Sequence, residues 1–195
     1  CIRDSDAYGR LDEVYYPDGG YVWYSYQDDA SPRYIMKSVK ETASSSILSY
    51  EYFDGFGRSI QTIHFGEANK SIVVASFYDE MGRNYLTQGP FFSTGIGYPK
   101  TPSSSFPWTQ IIYDYHGRPV YIRNPDQSGG AYRINQTQIS YNGFNVTITD
   151  ADQKQRKEEM DYLGRIVEVT EFNGYYTYET SYQYNAAGDI TDVYS

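Results

Sequence analysis

The stretch YDEMGR, Tyr78 to Arg83, decides how this chain folds, because it is one of six copies of a single short phrase. The others read SDAYGR at Ser5 to Arg10, FDGFGR at Phe53 to Arg58, YDYHGR at Tyr113 to Arg118, MDYLGR at Met160 to Arg165 and YNAAGD at Tyr184 to Asp189. Asp at the first position of a type I turn bonds back to the backbone, and Gly at the fourth takes a positive φ cheaply. Each copy therefore reads as a hairpin tip. The repeat-turn residues are Asp6, Gly9 and Arg10; Asp54, Gly57 and Arg58; Asp79, Gly82 and Arg83; Asp114, Gly117 and Arg118; Asp161, Gly164 and Arg165; and Asn185 with Gly188.

The six glycines are separated by 48, 25, 35, 47 and 24 residues, which implies one unit of about 24 residues. Each long gap then hides a decayed copy. One is YQDDASPR, Tyr26 to Arg33, with Pro32 near the glycine place; the other is TDADQK, Thr149 to Lys154, with Gln153 where glycine would stand. The gap of 35 is a unit plus an insertion.

A second set of turn signals lies between the tips: Pro17 to Gly20, Gly66 to Asn69, Asn124 to Asp126, and Asn173-Gly174. Two turns per unit give two strands per unit. The intervening segments are rich in Tyr, Val, Ile, Thr and Phe, often alternating, as in YYTYETSYQY at Tyr175 to Tyr184. No useful length shows apolar residues at helical spacing. The expected fold is all-β, an antiparallel hairpin meander of roughly twelve to fourteen strands.

Such a meander has no evident second layer and two open edges, which invite pairing. The strip is expected to continue into further repeats, or to close into a larger barrel, as part of a longer chain. The lone cysteine, Cys1, leaves no disulfide scaffold. A net charge of -9 and a pI near 4.6 argue against a nucleic-acid or anionic-membrane surface, and no run is long and apolar enough for a membrane span. The basic run KQRK, Lys154 to Lys157, is followed at once by Glu158 and Glu159 and reads as a solvated turn. Tyrosine is the compositional outlier, at 24 residues. Its apolar body and polar tip suit a half-wet sheet face, with packing ladders favoured over a sugar-binding platform.

No catalytic, cofactor or metal site is expected. His64 and His116 have no second His or Cys at ligand spacing and read as surface residues. Gly95-Ile96-Gly97 lacks the strand and helix of a nucleotide site. The repeated arginines either bridge to aspartates of adjacent hairpins or sit solvated at a rim. The sequons at Asn69, Asn135 and Asn145 carry little weight. An irregular insertion at about 88–110 holds Pro90, Pro99, Pro102 and Pro107 with five aromatic residues. It is expected to pack on a sheet face as a lid or plug.

The phrases YDEMGR, YDYHGR, FDGFGR and MDYLGR resemble the YD repeat of the Rhs family, from about Asp4 to Asp192. FDGFGRSIQ and PWTQIIYDYHGRPVYI look most like repeat regions of large bacterial proteins related to Tc-toxin B and C components and to SpvB-related proteins. The resemblance implies a β-strip that spirals into a hollow shell around a C-terminal toxin or effector domain, in a secreted or cell-surface setting. Its partners would be flanking repeats and the enclosed domain. The family's DPxGL-type self-cleaving motif has no match here, so proteolysis is not carried over. The alternative is an extracellular adhesion module that binds a glycan or receptor through the tyrosine-rich face or the insertion.

Overall fold

The computed structural model describes residues 2–41, 45–66, 70–94, 105–126 and 133–195. Among them every regular element is a β-strand. The strands are β1 (Ile2–Ser5), β2 (Leu11–Tyr15), β3 (Tyr21–Gln27), β4 (Arg33–Lys40), β5 (Ser46–Phe53), β6 (Ser59–Phe65), β7 (Lys70–Tyr78) and β8 (Asn84–Thr94). They continue with β9 (Trp108–Tyr113), β10 (Pro119–Asp126), β11 (Arg133–Asn142), β12 (Asn145–Thr149), β13 (Gln155–Met160), β14 (Ile166–Asn173), β15 (Tyr176–Tyr184) and β16 (Ile190–Tyr194). Within each of the two units described below, strand order in the sheet follows chain order. Sixteen strands replace the expected twelve to fourteen.

The chain divides into two compact units, Cys1–Trp108 and Thr109–Ser195. In the first, the main buried cluster lies on one face of the sheet, while the buried Val14 and Val22 lie on the other. Register sets Tyr50, Ile63, Val73 and Phe91 opposite one another across β5 to β8, and Ile63 and Val73 are fully buried. Beside them Tyr52, Gln61, Ala75 and Gln88 form a second buried row. Tyr34, Tyr50, Tyr52 and Phe65 pack as a connected aromatic group with centroids 5.2 to 6.5 Å apart. Cross-strand aromatic and β-branched pairs of this kind are what stabilise a sheet face.

The stretch expected to be irregular from Gln88 onward is strand as far as Thr94. A bulge absorbs the Gly89-Pro90 step: register shifts between Val73 and Ala75 on β7, with Gly89 at φ +113. Residues 95–104, which hold the middle of the insertion and the Gly95-Ile96-Gly97 cluster, lie outside the described residues, as do Cys1 and Asn69. Where the chain is described again, Phe106 stacks on Phe91 at 3.9 Å and 12°. Gly89 N–H donates to the Pro107 carbonyl.

The second unit is thinner. Val169 and Thr170 are its buried residues among those described, and β16 is exposed from end to end. The KQRK run is a correction to the expected solvated turn. From Gln155 it is strand β13, where Arg156 pairs with Glu158 and Lys157 with Glu159.

Candidate functional site

The tips share one backbone construction. In the turns begun by Asp6, Asp54, Asp79, Asp114 and Asp161, the glycine N–H donates to the Asp carbonyl at 2.9 to 3.1 Å, and the Asp N–H donates to the Arg carbonyl at 2.8 to 3.0 Å. The glycines lie at φ between +78 and +83, and the strand register shifts beside each tip. That combination is a type I turn closed by a glycine bulge. The bulge adds twist where the chain reverses, and its left-handed residue is why Gly recurs.

The Asp side chain locks the turn twice. Oδ1 of Asp54 accepts the N–H groups of Phe56 and Arg58, at 2.9 and 3.0 Å, while Oδ2 takes the Arg58 guanidinium at 2.6 to 2.7 Å. The same contacts recur at Asp79, Asp114 and Asp161. At Asp79 the Arg83 side-chain bond holds the carboxyl below its ordinary range. At Asp6, Asp54, Asp114 and Asp161 partial burial pushes the carboxyl up, but hydrogen bonds from the arginine backbone and side chain outweigh it and the net direction is down. The last tip exchanges its polar pair yet keeps the bond: Asn185 Nδ2 donates to Asp189 Oδ2 at 3.0 Å.

The arginine also carries a contact to the next strand but one in the chain. The guanidinium of Arg10 lies 4.0 Å from the ring centre of Tyr26, Arg58 4.4 Å from Tyr78, Arg118 4.2 Å from Tyr141, and Arg165 4.6 Å from Tyr184. Each of those tyrosines then donates its hydroxyl to the carbonyl of the residue after the arginine. The acceptors are Leu11, Ser59, Pro119 and Ile166, at 2.6 to 3.0 Å. The tyrosine that opens one copy thus clasps the turn of the copy before it. A cation held over an aromatic face contributes about 0.5 to 2 kcal/mol.

The arginines therefore do more than sit solvated at a rim. Each salt bridge closes its own turn, and Arg10 in addition reaches Asp28 on the following hairpin at 2.8 Å. Pro32 stands at the β3–β4 tip, where the Tyr26 copy was placed. The second hidden copy is a correction. Asp150 begins a turn of the same construction, but this turn joins β12 to β13, at the other end of the strands from the tips at Asp114 and Asp161. The tip at the repeat end is Tyr141-Asn142-Gly143, joining β11 to β12. Its signal was the tyrosine, since Tyr141 clasps Arg118 while Thr149 has no ring to offer.

Side chains at the third turn position stand clear of the sheet: Tyr8, Phe56 and Met81 are 83, 88 and 74% exposed. His116 occupies the same position against Tyr115, and His64 is exposed on β6.

Residues 25–114 match a family model described as a domain of unknown function, DUF6443. Among solved structures, one titled "Crystal Structure of TcdB2-TccC3-TEV" superposes with a TM-score of 0.68 at 15% identity, over 83% of this chain and 10% of that one. The chain thus spans about a tenth of the length of that protein, and the likeness is one of fold. No curated protein matches. Among the described residues no helix is long and apolar enough to cross a membrane.

Proposed function

We propose that this chain is a section of wall in a larger β-shell of the YD-repeat type, a non-catalytic scaffold that encloses a toxin or effector domain in a secreted or cell-surface protein. The observation that carries the reading is that in each unit the hairpins pair in chain order, and that among the described residues β1 and β16 each have one partner. Unpaired edges template further strands, and a repeat array buries its surfaces against neighbouring repeats. Superposition on a tenth of a much longer chain accords with a wall that continues. The clasp serves it too, because at four tips it locks a repeat to the one before.

The test is limited proteolysis of the intact protein that contains these residues, with and without the β13–β14 hairpin. A shielded domain that becomes sensitive when the hairpin is deleted supports enclosure. A protein without any shielded domain, or one equally shielded after the deletion, overturns it.

A further inference from the structure

We propose that the end of the second unit's sheet beside the Asp150 turn is a binding site for a neutral, hydroxyl-rich ligand of the oligosaccharide class. The starting observation is that this turn has the repeat's backbone without the repeat's lock. Asp150 Oδ1 accepts the N–H groups of Asp152 and Lys154 at 2.9 and 2.8 Å, as in every other copy. Lysine stands in the arginine place, however, and no described residue engages Asp150 Oδ2. The glycine place holds Gln153 at φ 65, the one left-handed non-glycine residue among those described. Strain retained in a turn that has lost its lock points to a role other than holding the fold.

Register supplies the rest of the site. Ile148, Arg156, Glu171 and Tyr178 lie directly opposite one another across β12 to β15, and so share one face. Asp150, Lys154 and Asn173 sit two residues along the same face. Together they border a hollow of about 390 Å³, within the range of about 300 to 1,000 Å³ usual for small-ligand sites. Although Glu171 faces Arg156 in register, Arg156 turns to Glu158 at 2.9 Å. The Glu171 carboxylate is left without a hydrogen bond or ion pair among the described residues.

The chemistry of the lining selects the ligand. Arg156 is held by Glu158, which leaves Asp150 and Glu171 facing the single cation Lys154, so the hollow is weakly acidic and repels a phosphate or any other anion. An anion would meet two open carboxylates, and a cation would meet the lysine between them. A ligand whose groups each donate and accept satisfies both, and sugar hydroxyls do so. Tyr178, 56% exposed, offers its ring to the C–H face of a pyranose and its hydroxyl to the edge. The site rests on register and free carboxylates and is independent of the shell reading.

The experiment applies the intact protein to an array of neutral, sialylated, sulfated and phosphorylated oligosaccharides, followed by calorimetry with the neutral glycan best retained. Neutral glycans are expected to be retained over the anionic ones. Tyr178→Ala is expected to weaken binding by about tenfold or more. Asp150→Asn, which keeps the turn's Oδ1 acceptor, is expected to weaken it without lowering the melting temperature. Tyr194→Ala, exposed on β16, is the control expected to bind as the unaltered protein does. No retention of neutral glycans, a preference for anionic ones, or undiminished binding by both site variants overturns the proposal. The array result for the unaltered protein decides by itself if a variant fails to fold.

Discussion

Arg58 lies 4.4 Å from the ring centre of Tyr78, and the hydroxyl of that ring donates at 2.8 Å to the carbonyl of Ser59, the residue directly after the arginine. One side chain thus contacts both the charged group that closes the preceding turn and the backbone that leaves it. The guanidinium, held at 2.6 Å by Asp54, is a fixed surface for the ring. Turn and clasp are one polar assembly, and its parts lie twenty-four residues apart at their widest.

Removing the hydroxyl alone separates the two halves of the clasp. Tyr78→Phe is expected to cost about 0.5 to 1.5 kcal/mol, the usual net worth of one hydrogen bond, and to leave the ring in place. A double-mutant cycle of Arg58→Ala with Tyr78→Ala, read by urea denaturation, is expected to give a coupling of about 0.5 to 2 kcal/mol. Strict additivity would show that the ring and the guanidinium are neighbours without interaction.

Two glycines distinguish conformational strain from collision. At Gly164, φ is +79 and nothing lies within 4 Å of where a Cβ would stand, so Gly164→Val meets only the left-handed backbone cost of about 1 to 2 kcal/mol. At Gly89 the added Cβ falls 2.4 Å from the Val73 carbonyl oxygen, which is backbone and cannot swing aside. Gly89→Ala should lower the melting temperature further than Gly164→Val does, and equal losses would contradict the bulge geometry.

Gln153 presents the converse case. A side chain at φ 65 carries strain that glycine does not. Gln153→Gly is expected to stabilise by up to about 1 kcal/mol, with the looser unfolded chain offsetting part of the relief. A drop in the denaturation midpoint would mean that the glutamine side chain itself supports the turn.

Acid should loosen the tips, and the sign follows from the carboxylates. Asp79, with its Arg83 bond, and Asp54, where backbone and side-chain bonds from Arg58 outweigh burial, both titrate lower in the folded state than in the unfolded chain. Their contribution is present above the ordinary value of about 3.9 and is lost as pH falls through the depressed folded values. A melting-temperature profile from pH 6 downward, roughly flat to about pH 4 and falling below it, is expected. It should be shallower in Asp54→Asn.

Alkali acts with the opposite sign. Burial raises Tyr50 and Tyr52 above the ordinary tyrosine range, with the neighbouring Tyr34 adding to it. Their contribution is complete below about pH 10 and is lost as pH climbs through the raised folded values. Absorbance titration should show a late-ionising class of tyrosines that merges with the rest in urea. A single class in both conditions would place these rings in solvent.

The turns were legible because their cause is local. Asp54 and Gly57 are three residues apart, and the bonds that fix them span at most four. The alternation of the strands and the all-β class follow from equally short patterns. The Asp150 turn was misplaced for the same reason: its bonds match those of Asp161, and nothing local says which end of a strand it caps. The tyrosine of Tyr141-Asn142-Gly143 carried that information, but only through a partner on another strand. The strand through Gln88 to Thr94 was obscured by Gly89 and Pro90, which signal a break where the sheet accommodates a bulge.

Sequence alone determined the repeat, the hairpin tip and the antiparallel meander, since each is set by contacts within a few residues of one another. Tertiary structure decided which tyrosine clasps which arginine, which face buries Ile63 and Val73, and where Asp150 and Glu171 are left open beside Tyr178. Those outcomes depend on strand register, and register joins residues whose separation along the chain no local pattern records.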